Sequence, residues 1–289
     1  MNKEKPSVTA IQDSTSSAII KFLPGHNEAV VTGQTYFGRD PDMHKALIDY
    51  FDRKKSIAVP EPGYHIFFPA SSVGCEPFYF AMLAEEKGLL KDGFLTVHAS
   101  DLQQEFIKYA KVGEYPKGVI RYLEDRLHQH FTPVANGSRV HDNVQLLEHI
   151  IQSVKFEHHG DIRNHDPEQL YDAVVLTHVI YHDQISPPAK EKILHAAMKL
   201  SKNLVLTDCL SFSENKKLYE RVLMEAGFGV ADENLDYKPL GIKPPHTKLE
   251  QITKALNPWH KSKPDTDIEG CQKASAFVAA KAPVEPSLR

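Results

Sequence analysis

The chain has 289 residues, 41% of them hydrophobic and 25% charged, which suits one large α/β core or one domain with a small attachment. A net charge of −4 supplies no basic field for nucleic acid, and no apolar run approaches the roughly 20 residues that a membrane helix needs. Cys75, Cys209 and Cys271 are odd in number and widely spaced, and the polar stretch from Met1 to Ser17 lacks the apolar centre of a signal peptide, so a reducing, cytoplasmic setting without a disulfide framework is expected.

Residues 1–20, rich in Ser, Thr and Lys, are expected to form a flexible arm, and 21–62 a short helical segment ahead of the main domain at 63–289. Asp40 can cap a helix and Pro41 suits its first position. Met43, Leu47, Tyr50 and Phe51 then recur at helical spacing, and the helix should end near Lys54–Lys55, before Pro60, Pro62 and Gly63 break the chain.

Tyr64–Pro69 reads as a buried strand, followed by a helix over about 76–88. Phe94–His98 reads as a second strand, and the next helix would carry Leu102, Phe106, Tyr109 and Ala110 on one face. Val140, Val144, Leu147 and Ile151 suggest a further helix, and Val154–His158 a third strand. Tyr171–Thr177 is a fourth strand, apolar enough for a central parallel position. A helix over about 188–201 and a strand at Asn203–Asp208 follow, then a helix with Leu218 and Val222 that stops at Gly227. The proline-rich segment near 229–273, which holds Trp259, reads as an inserted loop or lid, and Ala274–Lys281 as a last strand. Strands alternating with helices predict an α/β fold: a doubly wound, mostly parallel sheet with helices on both faces.

In such sheets ligands bind at the carboxyl ends of the strands. The first strand runs into Pro69-Ala70-Ser71-Ser72-Val73-Gly74-Cys75-Glu76-Pro77, whose small residues and glycine allow close approach of a ligand. There is no G-x-G-x-x-G and no Walker lysine, which argues against dinucleotides and triphosphates. Asp101 follows the second strand, where a carboxylate can accept hydrogen bonds from a ribose diol or, alternatively, cap the next helix. The sixteen histidines show no H-E-x-x-H or other recognised ligand spacing, so no metal is expected, although His128, His130, His158, His159, His178 and His182 are the residues to consider.

Together these segments resemble the chemotaxis-receptor glutamate methyltransferases. Ala70 to Met82 is similar to their A-A-S-T-G-E-E-P-Y-S-I-A-M motif, and Ala99-Ser100-Asp101-Leu102 to their A-S-D-I. Tyr109 to Tyr115 resembles K-A-R-x-G-x-Y, and Thr35-Tyr36-Phe37-Gly38-Arg39 resembles T-x-F-F-R. Phe156 to Ile162 is similar to a strand ending in Asn-Leu, with Asp161 at the asparagine, and Tyr171 to Tyr181 resembles F-D-A-I-F-C-R-N-V-M-I-Y. The likeness covers roughly residues 33–210 and implies a Rossmann-like, class I methyltransferase dependent on S-adenosylmethionine (SAM).

By that resemblance Asp101 would hold the ribose, with Leu102 beside it. Asp161 and Ile162 would meet the adenine, and Ala70, Ser72 and Gly74 would line the cofactor. Thr35 and Glu76 would face its methionine end, Glu76 accepting from the amino group. Thr177 and His178 would complete the cofactor set. Arg39 would touch cofactor and reaction centre, gripping an acceptor carboxylate, and Tyr181 would stand near the transferring methyl. The residues themselves leave other roles open: Arg39 could pair with Asp40 or Asp42, Tyr181 could be a core tyrosine, and Asp161 could cap a turn.

Methylating a carboxylate needs no general base, and none is evident, which favours a carboxylate acceptor on a protein or small molecule. A hydroxyl acceptor, small-molecule O- or N-methylation, and a SAM-binding module without turnover are the alternatives. The chain departs from the family pattern at Gly38, at Cys75 (a glutamate in the family) and at Leu176-Thr177 (an Arg-Asn pair). About thirty residues precede Thr35, too few for the family's helical receptor-docking domain, and no small β-subdomain is evident after Tyr181. A different acceptor, another protein or a small molecule, is therefore an expectation alongside a chemoreceptor.

Overall fold

A computed structural model of the chain describes residues 35–55, 63–134, 143–157, 161–165, 170–177, 179, 185–207 and 222, together with the backbone of strands at 228–231, 237–238 and 277–281. Two compact units emerge, one reaching Asp161 and the other beginning at Ile162.

In the first unit α1 spans Pro41–Lys55 and buries Met43, His44, Leu47, Ile48, Tyr50 and Phe51 along one face. Its start and stop are those read from Asp40, Pro41 and the closing Arg53-Lys54-Lys55, whose charges suit a helix C-terminus. β1 (Tyr64–Phe68) is followed by α2 (Cys75–Glu86), β2 (Leu95–Ser100) and α3 (Gln104–Val112). α2 is buried nearly all round, from Cys75 and Pro77 through Ala84, as expected of a helix enclosed by the core. β3 (Glu114–Pro116), β4 (Phe131–Pro133) and β5 (Asn143–Leu146) come next, then α4 (Glu148–Ser153) and β6 (Val154–Glu157). β2 runs parallel to β1, with Ile66 opposite Val97, and parallel to β6, with Val97 opposite Val154.

β3, β5 and β4 form a separate antiparallel sheet, with Tyr115 opposite Val144 and Thr132 opposite Gln145. This corrects the expected helix through Val144, Leu147 and Ile151. Val144 and Leu146 are buried while Asn143 and Gln145 are half-buried, a period of two, and the helix begins only at Glu148. The short apolar run fitted both periods, and cross-strand pairing with β3 and β4 selected the strand. Leu102 also departs from expectation. It precedes α3 and is exposed, so the helix face consists of Phe106, Ile107 and Ala110.

Between β1 and β2, His65 Nδ1 and His98 Nε2 lie 3.0 Å apart, and both rings are buried. Burial, and then the neighbouring His65, push the His98 pKa down to about 4 against the opposing pull of Glu157. At neutral pH the His98 ring is uncharged, and the 3.0 Å contact has one ring nitrogen donating to the other.

In the second unit β7 (Tyr171–Leu176) is buried along its whole length and runs parallel to β8 (Ser201–Thr207), with Val174 opposite Val205. α5 (Pro187–Leu200) connects them, with prolines in its first turn. β11 (Phe277–Lys281) is antiparallel to β8, and β9 (Phe228–Ala231) is antiparallel to β11. β10 (Tyr237–Lys238) pairs with β9. β9 and β10 show that the chain around 228–238 contributes strands, where a loop insertion from 229 was expected; the rest of 229–273, and most of the helix expected to end at Gly227, lie outside the described residues. Mostly parallel strands alternating with helices make this an α/β fold, as the sequence pattern predicts.

Candidate functional site

The turn after β1 is held by its own backbone and by the end of β2. Ser71 N–H and Oγ both donate to the Ser100 carbonyl, at 2.8 and 3.0 Å, and Gly74 N–H donates to the Ser71 carbonyl at 2.9 Å. Ser72 N–H donates to Asp101 Oδ2 and Gln103 N–H to Asp101 Oδ1, both at 2.8 Å. Asp101 is thus a buried strand-end carboxylate gripped on both oxygens, and it joins the Ala70–Glu76 loop to the start of α3. Asp101 accepts from N–H groups ahead of α3, whose N-cap residue Gln103 makes no side-chain cap hydrogen bond, so Asp101 fastens the turn and does not cap the helix. Each carboxylate oxygen can accept more than one hydrogen bond, so this anchoring is compatible with a diol as well.

Ala70 and Ser72 adopt left-handed backbone, with φ of 57° and 51°, a conformation that costs about 1–2 kcal/mol for a residue with a side chain. Ala70 is exposed, and Ser72 is half-buried with an Oγ that has no partner among the described residues. Gly74 is required on steric grounds as well. Its φ is 85°, and a Cβ there would stand 2.9 Å from both Phe156 and Phe78 and 3.0 Å from Ala110.

The loop is tied to the N-terminal segment from below. Tyr115, fully buried on β3, donates its hydroxyl to the Val73 carbonyl at 2.7 Å, and its ring meets Phe37 edge-on at 5.0 Å. Phe37 N–H donates to Val119, and Gly38 turns with φ of 77° where a Cβ would press on the Tyr122 carbonyl at 2.9 Å. That contact accounts for glycine where the family carries phenylalanine. Arg39 is half-buried and lies over the Tyr36 ring, 5.8 Å from its centroid. Thr35 is buried and hydrogen-bonds the Cys75 thiol; burial raises that thiol's pKa well above its usual value, so Cys75 is an inert core group.

Glu76, expected to accept from the cofactor's amino group, faces His44 of α1. His44 Nε2 is 3.3 Å from Glu76 Oε1, at an angle too bent for a good hydrogen bond, and Nδ1 is 3.0 Å from the Asp40 carbonyl. Burial lowers the pKa of His44, but Glu76 and the Asp40 carbonyl outweigh it and the net shift is upward. Both neighbours favour the protonated ring relative to a free imidazole.

Within the first unit Ser72 is joined to Asp101, Gly74 to Ser71, Thr35 to Cys75, and Glu76 to His44. Leu102, 59% exposed, presents an apolar side chain directly after Asp101. Asp161 is half-buried at this unit's end. In the second unit Ile162 opens a short 3-10 turn (Ile162–Asn164) and is half-buried, while Thr177 is buried just past β7. His178 and Tyr181 lie outside the described residues. His44 and Tyr115 went unrecognised as site residues. Tyr115 stands in a family-like motif and could have been found there, whereas His44 sits at an ordinary core position of an amphipathic helix and gave no signal.

Among the described residues no helix is long and apolar enough to cross a membrane. No curated protein sequence matches the chain. Similar solved structures include a magnesium protoporphyrin IX methyltransferase from Synechocystis PCC 6803 with bound SAM, 9% identical, covering 83% of this chain and 79% of that one at a TM-score of 0.43. Another is a TehB-like SAM-dependent methyltransferase from Corynebacterium glutamicum, 13% identical, covering 67% of this chain and 82% of that one at a TM-score of 0.36. The profile of the family described as CheR methyltransferase, SAM binding domain, matches residues 33–221, about two thirds of the chain. The match takes in the loop after β1, the strand-end Asp101 and the Thr35–Arg39 turn. The chain belongs to the CheR methyltransferase family, and is a Rossmann-like, class I SAM-dependent methyltransferase.

Proposed function

We propose that the chain transfers the methyl group of SAM to a carboxylate oxygen, forming a methyl ester on an acceptor that is a protein or a small molecule. SAM supplies an electrophilic methyl carbon on a sulfonium; the new C–O bond forms as the C–S bond breaks, and the electron pair stays on sulfur. The protein's task is then orientation and electrostatics. The observation that supports the SAM-binding part of this reading is the buried Asp101 locked to Ser72 and Gln103, an acceptor-only group at the carboxyl end of a parallel strand, while the carboxylate acceptor rests on the family resemblance.

In this reading Asp101 accepts the ribose hydroxyls and exposed Leu102 offers an apolar surface beside the base. Ala70, Ser72 and Gly74 form the cofactor-facing loop. By the family resemblance Asp161 and Ile162 are assigned to the adenine, Thr177 and His178 to the cofactor set, and Thr35 to the methionine end. Arg39 is assigned to the acceptor carboxylate, for which the guanidinium fork is suited, and the same resemblance assigns Tyr181 to the methyl-transfer step. Glu76 shares its charge with His44, so its hold on the cofactor's amino group depends on that partner. The domain boundaries read from sequence, with a catalytic domain from residue 63, belong to the same proposal.

The experiment is methyl transfer from SAM labelled in its methyl group. Label that is released as volatile methanol by mild alkali identifies a methyl ester. Alkali-stable label identifies O-alkyl or N-methyl products and overturns the carboxylate reading in favour of small-molecule O- or N-methylation. The replacement of the family's glutamate by buried Cys75 favours one second reading, a SAM-binding module without turnover; binding of S-adenosylhomocysteine with no transfer to any acceptor would support it.

A further inference from the structure

Glu85 in the last turn of α2, His130 just before β4, and His149 in α4 converge on one point, far apart in sequence and drawn together by three elements of the first unit. The Glu85 carboxylate oxygens stand 3.0 and 3.3 Å from His149 Nε2, and Oε2 stands 3.4 Å from His130 Nδ1. One donor atom from each residue falls within 4.8 Å of the others. Zinc takes imidazole nitrogen and carboxylate oxygen at about 2.0–2.2 Å, so tetrahedral geometry sets donor-to-donor edges at about 3.3–3.6 Å. The two carboxylate–imidazole edges observed here approximate that spacing already.

We propose that Glu85, His130 and His149 form a binding site for a divalent transition metal, zinc by the chemistry of its donors. Two imidazoles and one carboxylate favour zinc over the hard cations magnesium and calcium, which want oxygen. His130 is buried, with its side chain 7% exposed, so the site is closed to bulk water on that side. His149 and Glu85 are 53% and 36% exposed, which leaves a fourth position for water and a route in for the ion. A metal there would fasten the end of α2 to the small antiparallel sheet and α4. The donors come from positions 85, 130 and 149, which is why no local sequence spacing announces the site.

The test is calorimetric titration of zinc chloride into the full chain after chelator treatment and dialysis, with magnesium chloride as the control. The expected result is one tight equivalent of zinc, no magnesium binding, and a rise in melting temperature with zinc. His149→Ala and Glu85→Gln alter partly exposed groups and should retain the fold, checked by circular dichroism, while each weakens zinc binding at least tenfold and abolishes the thermal shift. The chain holds sixteen histidines and three cysteines, so the variants identify the ligands. Absence of a zinc equivalent, or undiminished affinity in either variant, overturns the proposal.

Discussion

His44 Nε2 lies 3.3 Å from Glu76 Oε1, and the ring's other nitrogen lies 3.0 Å from the Asp40 carbonyl. The histidine thereby links the turn that carries Arg39 to the first turn of α2. Its pKa is raised above 6.5 in the folded chain, so its contribution to stability is complete below the unfolded value of about 6.5 and is lost as pH rises through the folded value. Urea unfolding of the wild type should show stability declining above pH 6.5. His44→Phe should remove that component of the slope; an unchanged slope would count against the pair.

His98 behaves with the opposite sign. Its folded pKa is pushed to about 4 by burial and by His65, while the unfolded chain takes up a proton near 6.5. The unfolded state binds more protons across that window, so this contribution is complete above pH 6.5 and is lost as pH falls toward 4. His98→Gln should lessen the acid sensitivity seen in melts between pH 7 and pH 4.

Asp101→Ala should weaken S-adenosylhomocysteine binding at least tenfold by calorimetry, since each charge-assisted hydrogen bond contributes roughly 1.5–3 kcal/mol. The same change removes the acceptor for Ser72 and Gln103 N–H, so a lower melting temperature is expected too. Asp101→Asn should act in the same direction, because only one of its side-chain positions still accepts. Undiminished binding by both variants would remove Asp101 from the cofactor site.

Gly74→Ala places a methyl between Phe156, Phe78 and Ala110 at a left-handed backbone position. The backbone and overpacking costs together amount to roughly 2–5 kcal/mol, and chemical denaturation should record the loss. A neutral effect would mean that the two rings swing aside freely.

Arg39→Ala should leave the melting temperature nearly unchanged, since the side chain is half-buried over Tyr36 rather than enclosed. On the carboxylate-transfer reading, turnover should fall by two orders of magnitude or more while S-adenosylhomocysteine still binds. Normal turnover in a labelled-methyl assay would exclude the assigned role.

Much of the strand and helix order was legible because the signals were local and redundant. Asp40-Pro41 marked the start of α1, and the unbroken apolar run of β7 marked a buried parallel strand. The Asp101 loop was legible because several short motifs recur in family order. The small sheet escaped because Val144, Leu147 and Ile151 fit a helical period by coincidence, and only pairing with distant β3 and β4 settles their form. His44 and the Glu85–His130–His149 group escaped for a related reason, since their partners are set by tertiary packing and leave no spacing along the chain.

The left-handed Ala70 and Ser72 bear on how a ligand is captured. Their strain is balanced by contacts to Ser100, Asp101 and Tyr115 that need no ligand, so the loop is shaped by folding and not by binding. A molecule meeting a preformed loop surrenders little chain entropy on arrival. Association should therefore be single-step and quick, and changes that loosen the Ser72–Asp101 joint should slow capture as well as hasten escape.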